Sequence, residues 1–267
     1  MINKKYSLAL GWWAARGFIH IWVLQYLEEN DIEITEISWT SMWAIVWALF
    51  AIWKTSKEIT QIAKDVNYLK LIDLDLKHWF LKWDKVQKLL DSIFWDIKIE
   101  ELKIKLHIVA TCLETWDREV FTTGKVSDAV RASLSLPGIF KPKKIWEFSY
   151  IDGWMTTNLP IDVLEWKNII AVSAIKKVSW ELSTKRAFLW MNINKWFLNL
   201  NYQILNRSFL IMMQQNEDRS LEKVQWDFIF VLPDFWELDY YNFKQIDAFA
   251  HIWYDEIKKE NAIKIKI

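Results

Sequence analysis

The sequence predicts an α/β protein, a three-layer α/β/α fold with a mostly parallel central sheet. Three observations predict it. Residues 6–52 read in the order strand, loop, helix, strand, turn, helix, the signature of parallel strands with helices packed on the sheet. Further short apolar runs recur at 104–110, 149–151, 169–172 and 228–231 with helix-like stretches among them. The connections after the first two strands carry Gly or Trp together with small residues, where an α/β fold needs tight turns.

Taken in order, Tyr6–Leu10 is a short buried strand that runs into Gly11-Trp12-Trp13-Ala14-Ala15-Arg16-Gly17. A helix follows, with Ile19, Trp22, Val23, Tyr26 and Leu27 on one face and Glu28-Glu29-Asn30 near its end. Ile34–Ile37 is the second strand, leading into the Ser41 turn and a helix from Met42 to about Ile52. Residues 55–100 read as helical and charged, with Lys85–Phe94 amphipathic. Ile104–Ala110 is a central strand, and Glu119–Phe121 pairs with its end through Thr115-Trp116-Asp117. Ser127 is expected to cap a helix through Ala129-Val130-Arg131, which Pro137-Gly138 ends. Strands at 149–151, 169–172 and 228–231 follow, and Asp247–Lys258 reads as a closing amphipathic helix. No repeat or Pro/Ser-rich linker divides the chain, so one domain over 1–267 is expected, with a motif-bearing core at about 5–175 and helical and closing segments at about 176–267.

The composition is anomalous in one respect: 20 Trp stand against 5 Gly in 267 residues. Ordinary usage of about 7% glycine gives ~19 in this length. We read these tryptophans as glycines, UGA codons that the source organism decodes as glycine. Adding the 20 Trp to the 5 Gly brings glycine to about 9% of the chain. The competing reading is a protein that is truly rich in tryptophan.

Lys+Arg and Asp+Glu balance at 34 each, so no global charge favours nucleic acid or anionic lipid. The single Cys112 fits a reducing cytoplasm. The N-terminal residues show no secretory signal pattern. The uncharged run Ile37–Trp53 is at the lower limit for a spanning helix as written, and with its tryptophans read as glycine it suits a core helix better.

With Trp39 and Trp43 read as glycine, Trp39-Thr40-Ser41-Met42-Trp43 is G-x-S-x-G, a nucleophile elbow. Such a turn needs small residues two before and two after the serine, and an indole at either place is expected to collide with a neighbouring strand or helix. A serine that merely starts a helix is the bland alternative. The backbone amides of Gly11, Trp12 and Trp13, read as Gly-Gly-Gly, suit an oxyanion hole. A dinucleotide phosphate loop competes for that segment, but Ala14 breaks its spacing and no acidic residue closes the second strand. Arg16 reads equally as a loop or head-group support and as a surface arginine. Of His20, His78, His107 and His251, none stands in a loop after a late strand, so each reads as structural. Asp152, in Tyr150-Ile151-Asp152-Gly153-Trp154, is the better candidate base, weighed against an ordinary Asp-Gly turn.

Together and in this order, these segments resemble the patatin-like phospholipase family, especially its small bacterial members. The resemblance extends through Asp128–Ser133, Pro137-Gly138-Ile139-Phe140 and Asn158-Leu159-Pro160. The family pattern has glycine at Trp12, Trp13, Trp22, Trp39, Trp43, Trp47 and Trp154; Ala14 departs from the fourth glycine that many members carry. The resemblance implies that Ser41 is the nucleophile, Asp152 the base in a dyad without histidine, and residues 11–13 the oxyanion hole. It further implies cleavage of lipid esters through an acyl-enzyme, with no metal or cofactor and no nucleic-acid partner. The expected location is the cytoplasm, with peripheral contact at the inner face of the membrane as an extension. The apolar stretch Phe197–Met213 reads as a core or dimer helix, or as one that lines an acyl groove or rests on a membrane surface. A catalytically silent lipid-binding or scaffold protein on the same fold is the alternative if the tryptophans are real.

Overall fold

The computed structural model describes residues 5–11, 19–41, 44–66, 71, 73–75, 80–81, 83–138, 140–165, 168–173, 202–224, 228–231 and 263–266. In chain order the elements are β1 (Lys5–Leu10), α1 (Ile19–Glu29), β2 (Glu33–Thr40), α2 (Ala44–Ala51), α3 (Ser56–Asp65), β3 (Leu74–Asp75), β4 (Phe80–Leu81) and α4 (Asp84–Phe94). There follow β5 (Lys105–Cys112), β6 (Arg118–Phe121), α5 (Val126–Ser133), β7 (Lys143–Ile145), β8 (Phe148–Asp152), β9 (Ile169–Val172), α6 (Tyr202–Glu222), β10 (Phe228–Val231) and β11 (Ile263–Lys266).

The main sheet runs β11-β10-β9-β1-β2-β5-β8-β7, with β6 also on β5. Its centre, β10-β9-β1-β2-β5, is parallel, and the antiparallel pairs lie toward its ends. β1 and β2 are joined by α1, so the strand order advances one way from β1 and the other way from β9 to β10. Right-handed crossovers therefore place α6 on the opposite face from α1 and α2. Leu8 and Leu10 cluster with Leu24, Ile37, Ala48, Leu90 and Val130, and Ala9, Leu159, Ile161, Ile169, Ala171 and Phe228 form a second cluster against Leu221 of α6, which also reaches the first through Met213. This is the three-layer α/β/α arrangement expected. The run Ile37–Trp53 divides between the end of β2 and the short helix α2. Among the described residues no helix is long and apolar enough to cross a membrane.

Two local expectations are corrected. Residues 55–100 are not continuously helical: the β3–β4 hairpin interrupts them. Asp73 then caps α4 from outside, its carboxylate accepting from the backbone amides of Trp83 and Lys85 at 2.7 and 3.2 Å. Ser127 is not an N-cap. Lys125 holds that position without a side-chain bond, and the Val126 amide donates instead to the Ile97 carbonyl at 3.1 Å, so α5 starts earlier. The expected helix at Asp247–Lys258 lies outside the described residues, as does the start of the Phe197–Met213 stretch.

Tryptophan occupies the places where the backbone turns left-handed. Among the described residues seven that are not glycine have positive φ, and five of them are Trp53, Trp83, Trp95, Trp116 and Trp146. At the end of α2 the Trp53 amide donates to Phe50 and the Lys54 amide to Leu49, the paired bonds of a Schellman motif with Trp53 at the position that glycine favours. Trp146, at φ 55, is the first residue of the loop between Ile145 and Phe148, where a type II′ hairpin turn takes glycine. Buried tryptophans carry a different cost. The indole N–H groups of Trp22, Trp39, Trp47 and Trp154 are buried without a hydrogen-bond partner.

Candidate active site

Ser41 follows β2 directly and precedes α2, so it stands at the head of a helix at the C-terminal edge of the parallel strands, where α/β folds place their sites. Its φ of 71° is left-handed, a conformation rare for a residue with a side chain, and it marks a strained strand-to-helix turn. The strain is held from outside. The Ser41 amide donates to Ser133 Oγ at 2.7 Å, and the Ser133 hydroxyl donates to the Val109 carbonyl at 2.7 Å.

β5 brings the second group to the serine. Thr40 is paired with Val109 of β5, and Asp152 is paired with Ala110, the next residue. β6 occupies the other edge of β5 at Ile108–Thr111, so β2 and β8 share one edge and end against each other. The Ser41 hydroxyl donates to Asp152 Oδ2. Asp152 is fixed by its own backbone: its amide donates to the Ser135 carbonyl at 2.9 Å, and its carbonyl accepts from Thr111 Oγ1 at 3.2 Å. Its Oδ1 accepts from the Trp154 amide at 3.2 Å.

Asp152 is fully buried. Removal from water disfavours the carboxylate and pushes its pKa up to about 8, against the opposing pull of the Ser41 hydroxyl and the amides of Trp154 and Gly153. A carboxylate so placed is far more basic than an exposed one. Gly153 is required by close approach: a Cβ there would strike the Val109 carbonyl, lying 2.7 Å from its carbon and 3.0 Å from Thr40 Cγ2. Gly153→Ala is therefore expected to cost ~2 kcal/mol or more of stability, read by urea denaturation, because backbone rather than a flexible side chain must yield.

Gly11 follows β1, the strand paired with β2. Its amide donates to the Val172 carbonyl at 2.8 Å, and its carbonyl lies 3.1 Å from His20 Nε2. Burial drives the pKa of His20 down to about 4, so the ring is neutral. His107 meets Glu36 at 2.8 Å. Neither histidine is bonded to Ser41 or Asp152. Trp12, Trp13, Arg16 and Trp43 lie outside the described residues, as do His78 and His251. Trp39 departs from expectation: its indole is seated in the core, fully buried, instead of being excluded by its neighbours. The cost appears as the unpartnered Nε1–H.

Residues that local pattern did not single out complete the surroundings. Ser133 and Ser135 hold the backbones of the serine and the aspartate. Asn158 Nδ2 donates to Glu217 of α6 at 3.0 Å, and Asn216 Nδ2 donates to the carbonyls of Trp154 and Met155 at 3.3 and 2.9 Å. Ser133 and Asn158 belong to recognised stretches, but nothing local to residues 216 and 217 marks them.

This architecture is a three-layer α/β/α fold with a serine at a strand-to-helix turn. The chain belongs to the patatin-like phospholipase family, whose model, described as "Patatin-like phospholipase", matches residues 14–165. An uncharacterized NTE family protein of Mycobacterium bovis is 31% identical over 163 residues, covering 60% of this chain and 45% of that one. The neuropathy target esterase sws of Drosophila melanogaster is 27% identical over 173 residues, covering 61% of this chain and 12% of that protein. The chain thus spans less than half the length of these curated relatives. Among solved structures, VipD from Legionella pneumophila superposes with a TM-score of 0.52 at 15% identity, over 64% of this chain and 49% of that one, a likeness of fold.

Proposed function

We propose that the protein is a serine acyl hydrolase that cleaves fatty-acyl esters of (lyso)phospholipids or related lipids. The observation that carries this reading is the Ser41 hydroxyl, on a left-handed turn, bonded to the fully buried Asp152. Ser41 Oγ attacks the ester carbonyl while Asp152 takes its proton. The proposed donors to the tetrahedral oxyanion are the amides of positions 12 and 13, read as glycine, together with the head of α2, whose dipole favours negative charge; the Gly11 amide, expected to share this role, is instead spent on the Val172 carbonyl. Asp152 returns the proton to the leaving alcohol, the acyl-enzyme remains, and water deprotonated by the same aspartate releases the fatty acid. No step requires a metal or cofactor. With the Asp152 pKa raised to about 8, the base is mostly protonated at neutrality, so turnover is expected to rise with pH through that value. The names of the relatives support an ester substrate, and peripheral contact with the inner face of the membrane would give access to it.

The working protein, on this proposal, carries glycine at the tryptophan positions of the two motifs. The test is run on the full chain with glycine at Trp12, Trp13, Trp39 and Trp43. That protein is expected to hydrolyse a p-nitrophenyl acyl ester and to be labelled at Ser41 by a serine-directed phosphonate. Ser41→Ala is expected to lower turnover at least ~10³-fold with the fold retained. Substantial turnover by Ser41→Ala would remove the serine from the reaction, and lipid binding without labelling would favour a silent lipid-binding protein.

A further inference from the structure

Glu217 is a carboxylate buried to 2% exposure in α6, outside residues 14–165 that match the family, and packing alone does not account for it. Burying a carboxylate is costly unless it is held by donors. Here it is held by two: Asn158 Nδ2 at 3.0 Å and the Ser173 hydroxyl. Asn158 follows the turn that carries Asp152, and Ser173 follows β9. The third neighbour is the first residue of the glycine-rich segment, since a Cβ built on Gly11 would lie 3.3 Å from Glu217 Oε2 and 3.3 Å from Asn158 Nδ2. One carboxylate thus bonds the segments after β8 and β9 and lies beside Gly11 at the end of β1, all at the edge of the sheet where Ser41 stands.

Asn216, the preceding residue, points to the same assembly from another angle. Successive helical residues diverge by about 100°, so two neighbours can reach two separate segments. Asn216 holds the Trp154 and Met155 carbonyls, and Ser220 Oγ donates to its carbonyl at 3.0 Å. These carbonyls belong to the turn whose Trp154 amide supports Asp152. We infer that Asn216 and Glu217 are positioning residues that fix Gly11, from which the proposed oxyanion segment starts, and the base-bearing turn relative to each other across α6. The inference rests on the Ser41–Asp152 reading above. Catalysis needs the oxyanion donors and the base in one geometry, and a displacement near 1 Å can cost about 10²-fold in rate.

The test compares Glu217→Ala, Glu217→Gln and Asn216→Ala in the glycine-restored full chain, with Ser41→Ala as control. Ester turnover, phosphonate labelling of Ser41 and thermal unfolding are measured together. Glu217→Ala and Asn216→Ala are expected to lower kcat about ten-fold or more with KM within about two-fold, and labelling is expected to slow in step. Glu217→Gln, which keeps the length and one acceptor, is expected to recover most of the loss. Asn216→Ala removes no charge and introduces none, so it carries the test if Glu217→Ala does not fold. A kcat within two-fold of the parent despite a lowered Tm would make the pair purely structural and overturn the inference, as would a change in KM alone. Failure of the underlying reading has a different signature: a parent that is neither active nor labelled, or an active Ser41→Ala, which overturns dyad and clamp together.

Discussion

Asp152→Asn is expected to abolish ester turnover and, above neutral pH, to make the protein more stable. The two effects have one cause. Burial raises the carboxyl pKa from 3.8 to about 8, so the folded state holds a proton that the unfolded chain has already released. Stability from this group is fully present below pH 3.8 and is lost progressively as pH rises to about 8; beyond that the penalty is constant. Asparagine never ionises and escapes the penalty. The rise from 3.8 to about 8 sets an upper bound of about 6 kcal/mol. Part of that gain is offset, since asparagine offers one acceptor where Ser41 and the Trp154 amide now use two, at ~1 kcal/mol. A net gain of ~1–3 kcal/mol at pH 9, absent at pH 4, is therefore the expectation from chemical denaturation at both pH values. Glu217, pushed up to about 7 by the same burial, adds its own decline below that pH in parent and variant alike, so it cancels in the difference between them. Loss of a general base costs ~10²–10⁴-fold in rate. An Asp152→Asn protein that is less stable at pH 9 than its parent would show the carboxylate to be well solvated by its neighbours, contrary to the mechanism proposed.

The serine and the aspartate were legible in the sequence for different reasons. Ser41 was marked by its setting, since a strand, a small-residue turn and a helix leave few arrangements for the side chain between them. Asp152 was marked only by an Asp-Gly pair after a strand, a pattern shared with ordinary turns. Its meeting with Ser41 depends on register: β8 is antiparallel to β5 and ends opposite Ala110, one residue beyond the partner of Thr40. Periodicity cannot reveal such a pairing. The central strands were read well because parallel strands buried on both faces are continuous apolar runs. The β3–β4 hairpin, two residues on each side, is too short to carry alternation, so residues 55–100 read as helical throughout. Asn216 and Glu217 were hidden for a further reason. They act across 61 and 59 residues of sequence on Met155 and Asn158, and on a helix a buried Glu is indistinguishable from an exposed one by composition alone.

Replacing Trp53, Trp95, Trp116 and Trp146 together by glycine is expected to stabilise the fold, although it deletes four large side chains. These residues are 66%, 81%, 82% and 91% exposed, so little buried apolar surface is lost with them. Each sits at positive φ, between 50° and 69°. A left-handed conformation costs a residue with a Cβ about 1–2 kcal/mol, and glycine avoids it. Glycine's freer unfolded chain returns roughly 0.5–1 kcal/mol per site to the unfolded state. The balance is ~2–4 kcal/mol for the four, or a Tm about 5–15 °C higher for a chain of this size. Alanine at the same four positions is the control, because it deletes the indole and keeps the Cβ. If the gain comes from the backbone, glycine stabilises and alanine does not; equal behaviour would place the effect in the indoles. Trp83 is left out of the set because its ring packs on Phe140 at 3.7 Å and lies 5.6 Å from the Arg131 guanidinium. A Tm that falls on glycine substitution would mean that the turns have adapted to tryptophan, and the glycine reading of the motif residues would lose its physical support. A rise would extend that reading from two motifs to the whole chain, and mass spectrometry of the Ser41 peptide from native cells should then find glycine at positions 39 and 43.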